Sequence, residues 1–106
     1  MIVVTTDGVP GREVEEVFGL VRGTTVRARH LGRDISAMFR TMVGGEVPEY
    51  TKLVAESREQ ALDRMLDEAR AQGADAVLCF RFATAEVAKS AAEVVAYGTA
   101  VKLRED

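Results

Sequence analysis

The sequence predicts an α+β domain: a small antiparallel sheet of three to four strands packed on one long helix, with a second, short helix beside it. Three observations carry this expectation. Val and Thr crowd into short runs near both ends of the chain, apolar residues recur at helical spacing through the middle, and Pro and Gly stand at the junctions. At 106 residues there is room for one domain with a modest core, so 1–106 reads as a single unit.

Each element has its own signal. Residues 2–5, Ile-Val-Val-Thr, form a β-branched run suited to a first strand. Val9-Pro10-Gly11-Arg12 reads as a turn, because Pro presets φ at its second position and Gly accepts positive φ at its third. Residues 14–29 make a long extended segment, interrupted by Gly19 and Gly23 where a bulge or a bend is expected. Ile35, Met38, Phe39, Met42 and Val43 then fall on one stripe at helical spacing, with Asp34 as N-cap and Gly44-Gly45 as the stop. A second helix is expected from Pro48 to about Gln72, with Tyr50, Leu53, Val54, Ala61, Leu62, Met65, Leu66 and Ala69 on its apolar face and Gly73 as terminator. Two strands close the chain, 76–83 and 94–103, with residues 84–93 joining them as a loop or a single helical turn.

Alternation assigns faces to these last strands. Leu78, Phe80 and Phe82 share one side of the first, opposite Val77, Cys79 and Arg81. Val95, Tyr97, Val101 and Leu103 share one side of the second, opposite the small Ala96, Gly98 and Ala100. The small side suits close approach of the long helix. The bulky side, with Phe80, Phe82, Val95, Tyr97 and Val101, is left for a partner, and a homo-oligomer supplies that cover most economically. Arg81, on a mostly apolar strand, needs a partner for its guanidinium, and a carboxylate of a neighbouring subunit is the expected one.

Composition excludes several classes. Hydrophobic residues make up 47% of the chain and charged ones 29%, ordinary proportions for a globular domain. A net charge of −3 argues against nucleic-acid or anionic-membrane binding, both of which need a basic face. The N-terminus lacks a basic lead-in and a long apolar core, so it does not read as a signal peptide, and no run approaches the ~20 residues of a membrane span. A single cysteine demands no oxidising compartment. Cytoplasmic residence is the expectation.

The richest local chemistry lies in residues 21–34, VRGTTVRARHLGRD, which hold Arg22, Arg27, Arg29, Arg33 and the only histidine, His30. One reading is an ion-pair network, since residues 46–75 carry eight acids against four bases. A second is an anion pocket, in which Arg29, His30 and Arg33 meet the first amides of the helix at Asp34, Gly32 permits close approach, and Glu46 closes the site. A third makes His30 a general base oriented by Asp34 or Glu46. No nucleophile elbow, phosphate loop or dinucleotide fingerprint supports the third, and no enzyme is expected. The network suits Arg27, and the pocket suits Arg29, His30, Arg33, Asp34 and Glu46.

Four segments in register, VRGTTVRARHLGRD (21–34), GGEVPEYT (44–51), GADAVLCFRF (73–82) and AYGTAV (96–101), resemble the YbjQ-like family of small bacterial and archaeal proteins. The resemblance spans the chain from Thr5-Thr6 to the last strand. It implies a subunit similar to that of dodecin, assembled as a ring of five, and it implies no reaction, since the family's activity is undefined. The family also carries a heavy-metal-binding label. On the residues themselves that label is weak: soft metals take Cys and His in sets of three or four, and this chain has one of each. His30, Asp34 and Glu46 would suit a hard cation, and a ring alone could gather one His or Cys per subunit at its axis. Cys79 itself reads as an inert small hydrophobe within a strand. The combined expectation is a non-enzymatic, homo-oligomeric protein with a small anionic ligand, and no cofactor is assigned.

Overall fold

A computed structural model of the protein describes residues 1–28, 48–88 and 91–105. They form a two-layer α+β unit: one four-stranded sheet with one helix across it. The elements are β1 (Ile2–Val3), β2 (Val14–Ala28), α1 (Pro48–Ala71), β3 (Ala76–Ala88) and β4 (Ala91–Leu103). The sheet order is β1-β3-β4-β2. The short helix expected at 34–43 lies outside the described residues.

The sheet is mixed, which corrects the expectation of a wholly antiparallel one. β1 runs parallel to β3, pairing Ile2 with Ala76 and Val3 with Val77. A parallel neighbour needs a crossover of a dozen or more residues, and β2 with α1 supplies it. After β1 the expected turn is present: the Arg12 amide donates to the Val9 carbonyl at 3.0 Å, and Gly11 holds φ +76°.

Both glycines of β2 have a physical reason, and the two reasons differ. Gly19 sits at φ +107° beside a register shift between Val17 and Gly19, so it is the expected bulge. At Gly23 the ladder continues unbroken from Arg22↔Tyr97 to Gly23↔Ala96. What Gly23 provides is space, because a Cβ there would overlap the Ala61 carbonyl oxygen and the Met65 amide nitrogen of α1. The helix lies directly on this residue.

α1 presents Ser57, Ala61, Met65 and Ala69 to the sheet at i, i+4 spacing, all buried. They pack on Val21 of β2, Val77 of β3 and Val94, Ala96 and Ala100 of β4. Periodicity identified the apolar members of this stripe. Ser57 was not foreseen because it is polar, and it is satisfied within its own helix through Leu53 O at 2.9 Å. Its carbonyl also accepts from the buried Thr25 hydroxyl at 3.2 Å, tying helix to strand. The helix ends as Gly73 predicts, with φ +83° and paired bonds from Gly73 N to Arg70 O and from Ala74 N to Ala69 O, a Schellman closure.

β3 and β4 extend further than expected. Within 84–93, expected to be a loop or a single helical turn, residues 84–88 continue β3 and 91–93 begin β4, with Thr84↔Val94, Ala85↔Glu93 and Glu86↔Ala92 in register. Ala and Glu are poor strand formers alone, and cross-strand pairing determines their state here.

The alternation of β3 also breaks once. Leu78 pairs with Thr99 but Arg81 pairs with Tyr97, leaving one extra residue on β3. This bulge is centred on Cys79, at φ +55°. It places Val77, Phe80 and Phe82 on the helix side and Leu78 and Arg81 on the other, so the expected grouping of Leu78 with Phe80 and Phe82 does not hold. Gly98 faces this bulge: a Cβ would meet Val77 Cγ1 and Leu78 O, so its small size accommodates β3 and not the helix. The far end of the second face is covered by the chain itself, where Val4 and Val9 pack on Ala76, Leu78, Val101 and Leu103.

Candidate functional site

The residues expected to bind a ligand, Arg29, His30, Arg33, Asp34 and Glu46, all lie outside the described residues. β2 approaches that segment through its last pair, Ala28↔Ala91, and α1 leaves it at Pro48. Beside this junction a groove of about 390 Å³ opens between Val54 of α1 and the distal β3–β4 hairpin, lined by Thr84, Ala85, Glu86, Ala92, Glu93 and Val94. Its two carboxylates do not converge. Glu93 pairs with Ala85 and Glu86 with Ala92, adjacent positions on opposite faces of the sheet. Among the described residues no group of three or more His, Cys, Asp or Glu is placed to hold a metal ion.

Cys79 is exposed, which corrects its reading as an inert core thiol. The bulge is the cause. An extra residue pushed out of the ladder is turned away from both packed faces, and the Cys79 amide instead donates to Thr6 O at 2.9 Å. Arg81 finds partners within its own chain, its Nη1 donating to Thr5 O at 3.0 Å and to Phe80 O at 2.8 Å.

The pairing register brings together a set of residues that alternation alone did not group. Arg22, Tyr97 and Arg81 stand in one row across β2, β4 and β3, because Arg22 and Arg81 both pair with Tyr97. This row lies on the sheet face away from α1. Leu20 opposite Thr99 flanks it on one side, and Thr24 opposite Val95 and then Val26 opposite Glu93 on the other. Arg22 and Arg81 are exposed and Tyr97 is half-buried. The individual residues are visible in the sequence, but the row depends on a three-strand register displaced by the Cys79 bulge. The edge of β2 is blunted from the other layer, where Arg64 Nη1 donates to Thr24 O at 2.6 Å.

A four-stranded mixed sheet under one helix, with Arg22 and Arg81 on the face away from that helix, defines a small α+β domain. Comparison with known proteins specifies it further. Residues 1–104 match a family model described as "Putative heavy-metal-binding", and the chain belongs to this family, the YbjQ-like proteins. It is similar to a UPF0145 protein of Fervidobacterium nodosum, 58% identical over 105 residues that cover 99% of this chain and 97% of that one. It is also similar to a UPF0145 protein of Thermus thermophilus, 55% identical over 103 residues, covering 97% and 90%. Among solved structures it resembles a protein of unknown function from Pediococcus pentosaceus, assigned to the DUF74 family. That likeness has a TM-score of 0.62 at 17% identity and covers 98% of each chain, so it concerns the fold alone. Among the described residues no helix is long and apolar enough to cross a membrane.

Proposed function

We propose that this protein is a non-enzymatic, homo-oligomeric binding protein whose subunits form a dodecin-like ring, five in number by the family resemblance. The apolar surface left bare on β2 carries the reading. Val17, Leu20 and Val26 are 63%, 63% and 57% exposed, on a strand that forms the edge of the sheet. Burying such a side chain stabilises by roughly 1.5–3 kcal/mol before ordering costs, so a surface of this kind favours association. The dimensions agree: the radius of gyration is 17.4 Å, where a compact chain of this length has roughly 13 Å. Light scattering at micromolar concentration should give about five times the 11.5 kDa of the chain. A mass of one chain overturns the reading, and a tetramer or hexamer overturns only the count.

The ligand we assign to the ring is a small anion held by Arg29, His30 and Arg33, with Asp34 and Glu46 at its margin. Added phosphate should raise the melting temperature of the wild type by mass action and leave Arg33→Ala unmoved. Equal responses from the two proteins return these residues to an ion-pair network. A second reading, binding of a heavy metal, draws on the family description and on the exposed thiol of Cys79. Elemental analysis of the purified protein, followed by zinc and cadmium titration of Cys79→Ala, tests it. A single thiol is a poor soft-metal site, so the substitution should leave the affinity nearly unchanged, and a loss of tenfold or more would favour the metal.

A further inference from the structure

We propose that the subunits join head to tail, the open sheet face of one copy seating its Arg22–Tyr97–Arg81 row on the acidic outer face of α1 in a second copy, at Glu56, Glu59 and Asp63. The inference rests on the oligomeric reading above and specifies which two surfaces meet. Strands lie about 4.8 Å apart, so Arg22 and Arg81, one strand either side of Tyr97, are separated by roughly 10 Å at the backbone. Glu56 and Asp63 are seven residues apart on a helix rising about 1.5 Å per residue, which is also roughly 10 Å, with Glu59 between them. The two rows therefore match in length, and they oppose in charge because three carboxylates outnumber Lys52, the one cation lining the same groove among the described residues.

Each surface has what such a contact requires. On the sheet, Arg and Tyr stand between apolar Leu20 and Val26, the composition typical of an interface centre. Arg81 is held in place through Nη1, and among the described residues its Nε and Nη2 donate to no one. On the helix, a groove of about 560 Å³ runs along Lys52, Ala55, Glu56, Glu59 and Asp63. All three acids are exposed, and none forms an ion pair among the described residues.

The architecture selects the head-to-tail arrangement. The basic row and the acidic face lie on opposite layers of the domain, so one chain cannot bring its own two surfaces together. A symmetric contact between two sheet faces would set Arg22 and Arg81 against their own copies, a repulsive juxtaposition. Two unlike surfaces that recognise each other repeat from copy to copy and close into a ring when the rotation allows.

Charge reversal tests this directly. Arg22→Glu and Glu59→Arg, both at exposed positions, should each keep the wild-type circular dichroism spectrum. Each should raise the concentration at which the assembly dissociates tenfold or more. The double variant should recover wild-type assembly, because the reversed charges again oppose. Single variants that assemble as the wild type does would overturn this contact while leaving the oligomer standing, and so would a double variant no better than the singles. A wild type that sediments as one chain would remove the oligomeric reading itself. Should a single variant lose its folded spectrum, the milder Arg22→Gln and Glu59→Gln, read by the same dissociation measurement, decide the matter in its place.

Discussion

Replacing Gly23 by alanine puts a methyl group where a hydrogen stood, and the structure assigns that carbon no space. The Cβ would overlap the Ala61 carbonyl oxygen and the Met65 amide nitrogen and stand 2.8 Å from Arg64 Cβ. The first two are backbone atoms of a continuous helix, so no side-chain rotation relieves the overlap. The helix must lift by roughly 1 Å, and doing so loosens Ala61 and Met65, both 0% exposed, from Val21 and Ala96. Overpacking costs about 1–3 kcal/mol where side chains can adjust, and a backbone clash belongs at the upper end. Alanine's lower backbone entropy in the unfolded chain returns about 0.5–1 kcal/mol. A net loss of about 2 kcal/mol lowers the melting temperature of a domain this size by about 8–16 °C, read at fixed protein concentration by circular dichroism. Gly8 is the control, with nothing within 4 Å of its would-be Cβ and no positive φ. Gly8→Ala should melt with the wild type or slightly above it. A Gly23→Ala protein that melts like the wild type would refute the placement of α1 on β2.

Two further outcomes follow from single residues. At Cys79, held at φ +55°, Cys79→Gly should stabilise by about 1 kcal/mol and Cys79→Val should destabilise, because a β-branched side chain fits that conformation worst; equal melting of the two by differential scanning calorimetry would mean that the bulge is not conformationally demanding. Asp75 Oδ2 accepts the Leu103 amide at 3.1 Å, so Asp75→Ala should cost about 1–3 kcal/mol by leaving that donor unpaired, while Asp75→Asn, which keeps an acceptor, should cost less in urea unfolding.

Much of this fold is legible in the sequence, and the misses share one cause. The long helix, its Gly73 closure, the Val9–Arg12 turn and the Gly19 bulge are each set by residues within a few positions of one another, through periodicity, capping and positive φ. The parallel placement of β1 against β3 and the purpose of Gly23 depend on partners tens of residues away, and the extension of β3 to Ala88 and of β4 from Ala91 depends on cross-strand pairing rather than on local preference. Ala and Glu in Ala85 to Glu93 carry weak preferences that pairing overrides. Gly23 looks the same in a sequence whether it bends a strand or admits a helix.

The open face shows how far one local irregularity can redistribute chemistry. With strict alternation along β3, Phe80 and Phe82 would join Val95 and Tyr97 on the face away from the helix, leaving Arg22 as the guanidinium of that row, and Arg81 would face the helix. The extra residue at Cys79 exchanges these positions. Phe80 then packs with the helix-side core and lies 4.9 Å from Phe82, edge to face, while Arg81 emerges beside Tyr97. A face that strict alternation would leave with one guanidinium among aromatic and apolar side chains thus gains a second. The second guanidinium adds to the repulsion between two such faces and to the attraction toward an acidic helix. In the proposed contact, the bulge at Cys79 therefore contributes Arg81 to the surface that meets α1 of the next copy, besides setting the local course of the strand. The contact itself is tested by the charge reversal at Arg22 and Glu59, in which recovery by the double variant separates an unlike pair of surfaces from a like one.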